Sequence, residues 1–96
     1  MNLTDVEYNH LKRDNTLQQR GLDFAQAKQV FSGHHFTAED SRQDYGEIRY
    51  ITIGMLAERL VVIVWTWRNQ KRRIISMRKA NEREQQRFKQ HLGRSR

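Results

Sequence analysis

The apolar positions of this chain change their period from helical to alternating about a third of the way along. Residues 9–20 predict a polar helix with Leu11 and Leu17 as its main apolar contacts, and Gly21 stands where a left-handed residue ends a helix. Asp23 suits an N-cap, and Phe24, Ala27, Val30 and Phe31 fall on one face of a second helix that ends near Ser32-Gly33. Beyond it the period becomes two. Residues 48–54 alternate, with Ile51 and Ile53 against Tyr50 and Thr52. Residues 60–67 are apolar at almost every position and β-branched, as a central strand covered on both faces requires. Residues 54–59 are a hairpin-length connection, and Asn69-Gln70-Lys71 turns into a third strand at 72–78. A weaker strand fits 35–39, and residues 80–92 close as a helix touching the rest through Ala80, Phe88 and Leu92. This order predicts an α+β fold over residues 1–96 as one domain. Its sheet is an antiparallel meander with two N-terminal helices and one C-terminal helix.

Charge changes the picture more than composition does. Residues 68–96 hold eleven Lys/Arg against Glu82 and Glu84, a net of +9, whereas the first 67 residues are at −2. Guanidinium groups match phosphate oxygens with paired hydrogen bonds, so a cationic third of the chain points first to nucleic acid. The overall +7 also attracts acidic proteins and anionic membrane and does not choose among these partners. The absence of cysteine excludes disulfides and thiolate metal sites and fits a reducing cytosol. The apolar run 60–67 is far shorter than the roughly 20 residues of a membrane helix. Residues 1–5 lack the basic start and apolar stretch of a leader, so a soluble cytoplasmic protein without membrane association is expected.

In a meander, strands 48–54 and 72–78 run in the same direction on either side of 60–67. Arg49 and Arg73 then begin their strands at the same end of the sheet. Strict alternation puts Arg49 with Ile51 and Ile53, and Arg73 with Ile75 and Met77, on one side together with Glu47. Two arginines and a carboxylate suit holding a phosphodiester and moving a proton. The same alternation sends Arg78, with Ile74 and Ser76, to the other face and the other end. From there it joins the site only if the chain bends at the strand-to-helix junction. The plainer reading is that Glu47–Arg49 and Glu84–Arg78 are ordinary surface ion pairs. Trp65 and Trp67 share a face with Ile63 and read as core, with Trp67 near enough to the strand end to stack a base. His34-His35 would point to opposite faces and lack a third ligand, so neither a metal nor another cofactor is expected. The helix–Gly21–helix segment is a poor DNA reader, since its second helix carries Asp23 and only Lys28.

Several motifs in order resemble one family. They are Val6-Glu7-Tyr8-Asn9 followed by Lys12, Gly21-Leu22-Asp23-Phe24 through Ala27 with Val30-Phe31, and Asp44-Tyr45-Gly46-Glu47-Ile48-Arg49-Tyr50. The last is Arg73-Ile74-Ile75-Ser76-Met77-Arg78-Lys79-Ala80 with Glu84. Over about Val6 to Phe88 the chain resembles the BrnT family of bacterial type II toxins, small ribonucleases with a RelE-like fold. It departs at Gln19-Arg20, where the family commonly has Lys-His, and at Phe88, where it often has tyrosine. Arg20 can hold a phosphate but cannot shuttle a proton near neutral pH. The resemblance implies metal-independent endoribonuclease action and inhibited translation, with Glu47, Arg49, Arg73 and Arg78 at the site. The cationic residues Lys12, Arg20, Arg72, Lys79, Arg83 and Arg87 are the candidates for contact along the RNA. The resemblance also implies a ribbon-helix-helix antitoxin and operator DNA reached through that complex. The anion-binding face predicts that the antitoxin covers part of the Arg49/Arg73 end. The alternatives from the residues alone are a non-catalytic nucleic-acid-binding module and a basic protein-interaction domain.

Overall fold

The computed structural model describes residues 5–94, with the backbone only for residues 92–94. The leader reading of residues 1–4 and the packing of the Leu92 side chain therefore lie outside the described residues. Five strands form one sheet: β1 (Val6–Tyr8), β2 (His35–Glu39), β3 (Tyr50–Leu56), β4 (Arg59–Arg68) and β5 (Lys71–Lys79). Their order across it is β1-β5-β4-β3-β2. The α-helices are α1 (His10–Arg20), α2 (Ala27–Ser32) and α3 (Glu82–Arg94), with one 3-10 turn at Phe24–Gln26.

The meander β3–β4–β5 is present, but the sheet is mixed rather than antiparallel. β1 runs parallel to β5, with Val6 opposite Arg72, Glu7 opposite Arg73 and Tyr8 opposite Ile74. A three-residue strand is too short to show an alternation, and only the partner strand reveals it. The β3–β4 connection is tighter than expected, with Ala57 and Glu58 between the strands and Ala57 at φ 56°. Between β4 and β5, Asn69 and Gln70 both adopt positive φ, 53° and 65°, the conformation that matches the twist of a two-residue hairpin. The closing helix starts at Glu82 rather than at residue 80. The second N-terminal helix breaks into the 3-10 turn and α2.

β4 is covered on both sides, as its composition predicts. Val61, Ile63 and Trp65 meet Leu22, Phe24, Ala27, Val30 and Phe31 from the N-terminal helices. On the opposite side Val62 meets Ile53, Ala80 and Phe88 beneath α3. The helix-covered side is closely fitted: a β-carbon added to Gly54 would lie 2.6 Å from Val30 Cγ1 and 2.9 Å from His35 Cβ. Within it Trp65 Nε1 donates to Thr52 Oγ1 at 2.8 Å.

α1 is polar as expected, but Leu11 and Leu17 are not the contacts that hold it. Leu11 is 74% exposed, and no residue of the helix is buried. Polar ties hold it instead. Asn9 Oδ1 accepts from the Lys12 N–H, and Gly21 at φ 68° closes the helix onto the Leu17 carbonyl. Arg13 forks onto both oxygens of Asp23 at 2.9 Å each. Asp23 also accepts from the Ala25 N–H, capping the next turn, and Arg13 holds its pKa below the ordinary value.

One irregularity reorganises the site. Val64 pairs with Ser76 and Trp65 with Ile74, so Ile75 has no partner on β4. This bulge shifts the alternation by one residue. Ile74 and Met77, three apart, consequently enter the same core.

Candidate functional site

The bulge overturns the expected facing of Arg78. Arg78 pairs with Val62 and Arg73 with Thr66, an even spacing along β4, so both arginines lie on the α3 side. Arg73 does not share a face with Met77, whose side chain is in the opposite core. Arg49 immediately precedes Tyr50, which pairs with Trp65, and the next residue of β4, Thr66, pairs with Arg73. Arg73 in turn is opposite Glu7. Arg49, Thr66, Arg73 and Glu7 thus form one row across the end of the sheet. With neighbouring strands about 4.8 Å apart, the Arg49 and Arg73 backbones are about 10 Å apart, within joint reach of one phosphodiester. Buried Thr66 fixes the gap between them, donating its hydroxyl to the Ile48 carbonyl at 2.7 Å.

Each of these arginines has a carboxylate. Arg49 Nε donates to Glu47 Oε2 at 3.1 Å, and its guanidinium lies 4.1 Å from the centre of the Tyr45 ring. Arg73 Nη1 donates to Glu7 Oε1 at 3.4 Å. Arg78 makes the strongest pair, both terminal nitrogens reaching the two Glu84 oxygens at 2.7 Å. Glu84 also accepts from the Asn81 N–H and donates its own N–H to Asn81 Oδ1, a reciprocal cap at the start of α3. The paired arginine lowers the Glu84 pKa, and Glu84 raises that of Arg78.

Two participants escaped the sequence reading. Glu7 is one, because its strand went unseen, although it stands in the opening motif. The other is the loop after β2. The Asp40 side chain is fully buried (0% exposed) while its partner Arg42 is 64% exposed. Asp40 accepts Arg42 Nε and Nη2 at 2.8 Å each and the Tyr45 hydroxyl at 3.0 Å. Its backbone N–H donates to the Arg49 carbonyl at 2.7 Å. Hydrogen bonds from Arg42 hold the Asp40 pKa well below the carboxylate range, and the Arg42 charge is near enough to oppose protonation of Arg78. Aperiodic loop residues give no pattern from which this hub is read.

The remaining sequence-predicted residues scatter. Arg72, next to Arg73, faces the other side, over the rings of Phe31, Trp65 and Trp67 at 4.2, 4.9 and 5.0 Å. Burial there pushes its pKa down. Arg20 Nη1 donates to the Met77 carbonyl at 2.9 Å, on the β5 edge beyond the end of β1. Lys12 is exposed on α1, Lys79 at the end of β5, and Arg83 and Arg87 one turn apart on α3. Trp65 is buried, whereas Trp67 is 45% exposed. His35 Nδ1 is 2.9 Å from the Gly33 carbonyl oxygen, and among the described residues no three His, Cys, Asp or Glu side chains converge as metal ligands.

A mixed sheet whose arginine row is flanked by carboxylates is the setting in which the family comparison has meaning. The family model described as ribonuclease toxin, BrnT, of type II toxin-antitoxin system matches residues 8–84. The chain belongs to the BrnT family of ribonuclease toxins. The matched span contains Glu47, Arg49, Arg73, Arg78 and Glu84 and stops one residue short of Glu7. Membership implies an RNA substrate and an antitoxin partner. No curated protein sequence matches the chain, and no described helix is long and apolar enough to cross a membrane.

Proposed function

We propose that this chain, read as one domain over residues 1–96, cuts RNA in the cytoplasm without a metal ion and so inhibits translation. The observation that carries the reading is the row of Arg49, Thr66, Arg73 and Glu7, which sets two guanidiniums beside carboxylates at one end of the sheet. In this mechanism the ribose 2′-oxygen bonds to the adjacent phosphorus and the bond from phosphorus to the 5′-oxygen breaks. Glu47 takes the 2′ proton, and the departing oxygen receives one from water. Arg49 and Arg73 donate to the non-bridging oxygens, whose negative charge grows as the phosphorane forms. The Arg49–Glu47 pair is exposed, and exposed pairs contribute only about 0–1 kcal/mol. The half-buried Arg73–Glu7 contact is long at 3.4 Å, so a phosphate displaces a carboxylate from either arginine at small cost. Arg78 adds its charge to this face from within its pair with Glu84. Lys12, Lys79, Arg83 and Arg87 extend the cationic track, whereas Arg20 and Arg72 act mainly in holding the fold.

The partner in this reading is a ribbon-helix-helix antitoxin, through which the complex reaches operator DNA. The deciding experiment incubates the purified chain with single-stranded RNA in EDTA. Cleavage that persists in EDTA and falls in Arg73→Ala supports the reading. Binding without cleavage replaces it by a non-catalytic nucleic-acid-binding module.

A further inference from the structure

The same side of the sheet carries a second feature at its other end. A groove of about 520 Å³ lies between α3 and the β3–β4 hairpin. Met55, Leu60, Ala80 and Phe88 form its apolar floor. Arg59, Lys79 and Lys89 stand on its rim against one acid, Glu58. Leu60 and Thr66 are six residues apart on β4, which at about 3.3 Å per residue puts the groove about 20 Å from the arginine row.

We propose that this groove is the anchor for the antitoxin, which inserts an acidic amphipathic segment with its apolar side chains on the floor and its carboxylates on the rim. The inference rests on the toxin reading above and names the partner's site. Three observations select this occupant. The rim carries a net of +2, which favours carboxylates and steers an acidic chain toward it. The floor is apolar and includes Met55, 40% exposed, a side chain that adapts to an apolar partner. Phe88 is stacked on Phe36, with ring centres 6.2 Å apart and planes at 19°, and is only 4% exposed, so it offers no open face to a nucleobase. RNA would therefore meet charge here without stacking. A second copy of this chain would bring its own net charge of +7 to a cationic rim.

The anchor thus lies away from Arg49 and Arg73 rather than over them. The antitoxin grips one end of the face and leaves the row to be covered by whatever follows the anchored segment.

The test measures binding of the purified antitoxin encoded with this chain, at low and high salt, to the parent, to the double variant M55D/K89E and to Arg73→Ala. M55D/K89E should bind the antitoxin at least 30-fold more weakly, with a shallower salt dependence, and should cleave RNA at the parental rate. Arg73→Ala should lose cleavage and keep antitoxin affinity within about threefold. Parental affinity in M55D/K89E overturns the proposal, as does an equal loss of affinity in Arg73→Ala. Both changes are at exposed positions, and a thermal melt at the parental temperature shows that the variant is folded. Hydrogen exchange gives an independent reading: antitoxin should protect residues 55–60 of the hairpin, which lie off the RNA track, and protection of that segment by RNA instead counts against a protein occupant. If the parent fails to cleave RNA at all, the ribonuclease reading falls while the binding comparison still decides the anchor.

Discussion

The two sides of the sheet are built from opposite materials. Toward the N-terminal helices, eleven buried apolar residues form one cluster, while toward α3 the corresponding cluster has four among the described residues. Full burial of a large apolar side chain contributes about 1.5–3 kcal/mol, so the first side supplies most of the hydrophobic stability. The second side is thinly packed and rich in arginines held by carboxylates. It is the side on which charged groups stay solvated enough to exchange partners. Apolar packing and paired charge are thus divided between the two surfaces of a single strand layer.

The largest expected effect tests the packed side. Phe24, completely buried, should cost about 3–5 kcal/mol of unfolding free energy when replaced by alanine, measured by urea denaturation. A loss below about 1 kcal/mol would break the assignment of stability to this side.

Next comes the arginine row. Arg73→Ala and Arg49→Ala should each lower RNA cleavage by about 10²–10³, or about 3–4 kcal/mol of barrier, with little change in unfolding free energy. Parental cleavage in both variants removes the chemistry from that side.

Asp40→Asn sharpens the boundary between the two roles. Its carboxylate is buried but serves Arg42 and Tyr45 on the arginine side. Weakening these charge-assisted bonds should cost about 2 kcal/mol of stability and also reduce cleavage through Arg49. A stability loss with unaltered cleavage would restrict Asp40 to folding.

RNA affinity should fall steeply with salt, because phosphate contacts release counterions. Arg83→Ala and Arg87→Ala should each lessen the log–log slope by about 0.7, alike for all RNA sequences. An unchanged slope excludes α3 from the RNA track.

The smallest effect is in acid. Hydrogen bonds from Arg78 lower the folded pKa of Glu84, and those from Arg42 lower that of Asp40. A lowered folded pKa contributes stability above the ordinary values of 4.5 and 3.8, and that stability is lost as pH falls through the folded values. Unfolding free energy should therefore decline below about pH 4.5, less steeply in Glu84→Gln. Equal pH slopes in parent and variant would show that the Arg78 pair contributes nothing to the fold.

The periodic parts of the structure were legible in the sequence. The alternation of 48–54 and the apolar run 60–67 locate β3 and β4 within two residues, and Gly21 and Asp23 mark the helix ends. Where the expectation failed, the cause was a feature without a period. Ile75 carries no mark of being a bulge, since its neighbours are as β-branched or polar as in a straight strand. Counting alternate residues through it sends Arg78 to the wrong face. Leu11 and Leu17 suggested that α1 packs by apolar contact, when the fork of Arg13 on Asp23 and the bond from Arg20 to β5 tie it down. The arginines in the two best-matched motifs were legible from motif and charge. Their carboxylate partner Glu7 and the Asp40 hub became visible only from pairing across distant segments.

The bulge at Ile75 makes the phase of β5 depend on chain length rather than on side-chain identity. Substituting residue 75 leaves the count intact, so the arginines keep their facing. Deleting it would let the ladder run straight and rotate everything before it by half a period, turning Arg73 inward and Arg72 outward. Residue 75 can therefore be exchanged without moving the arginines, whereas a single lost codon would turn the strand inside out.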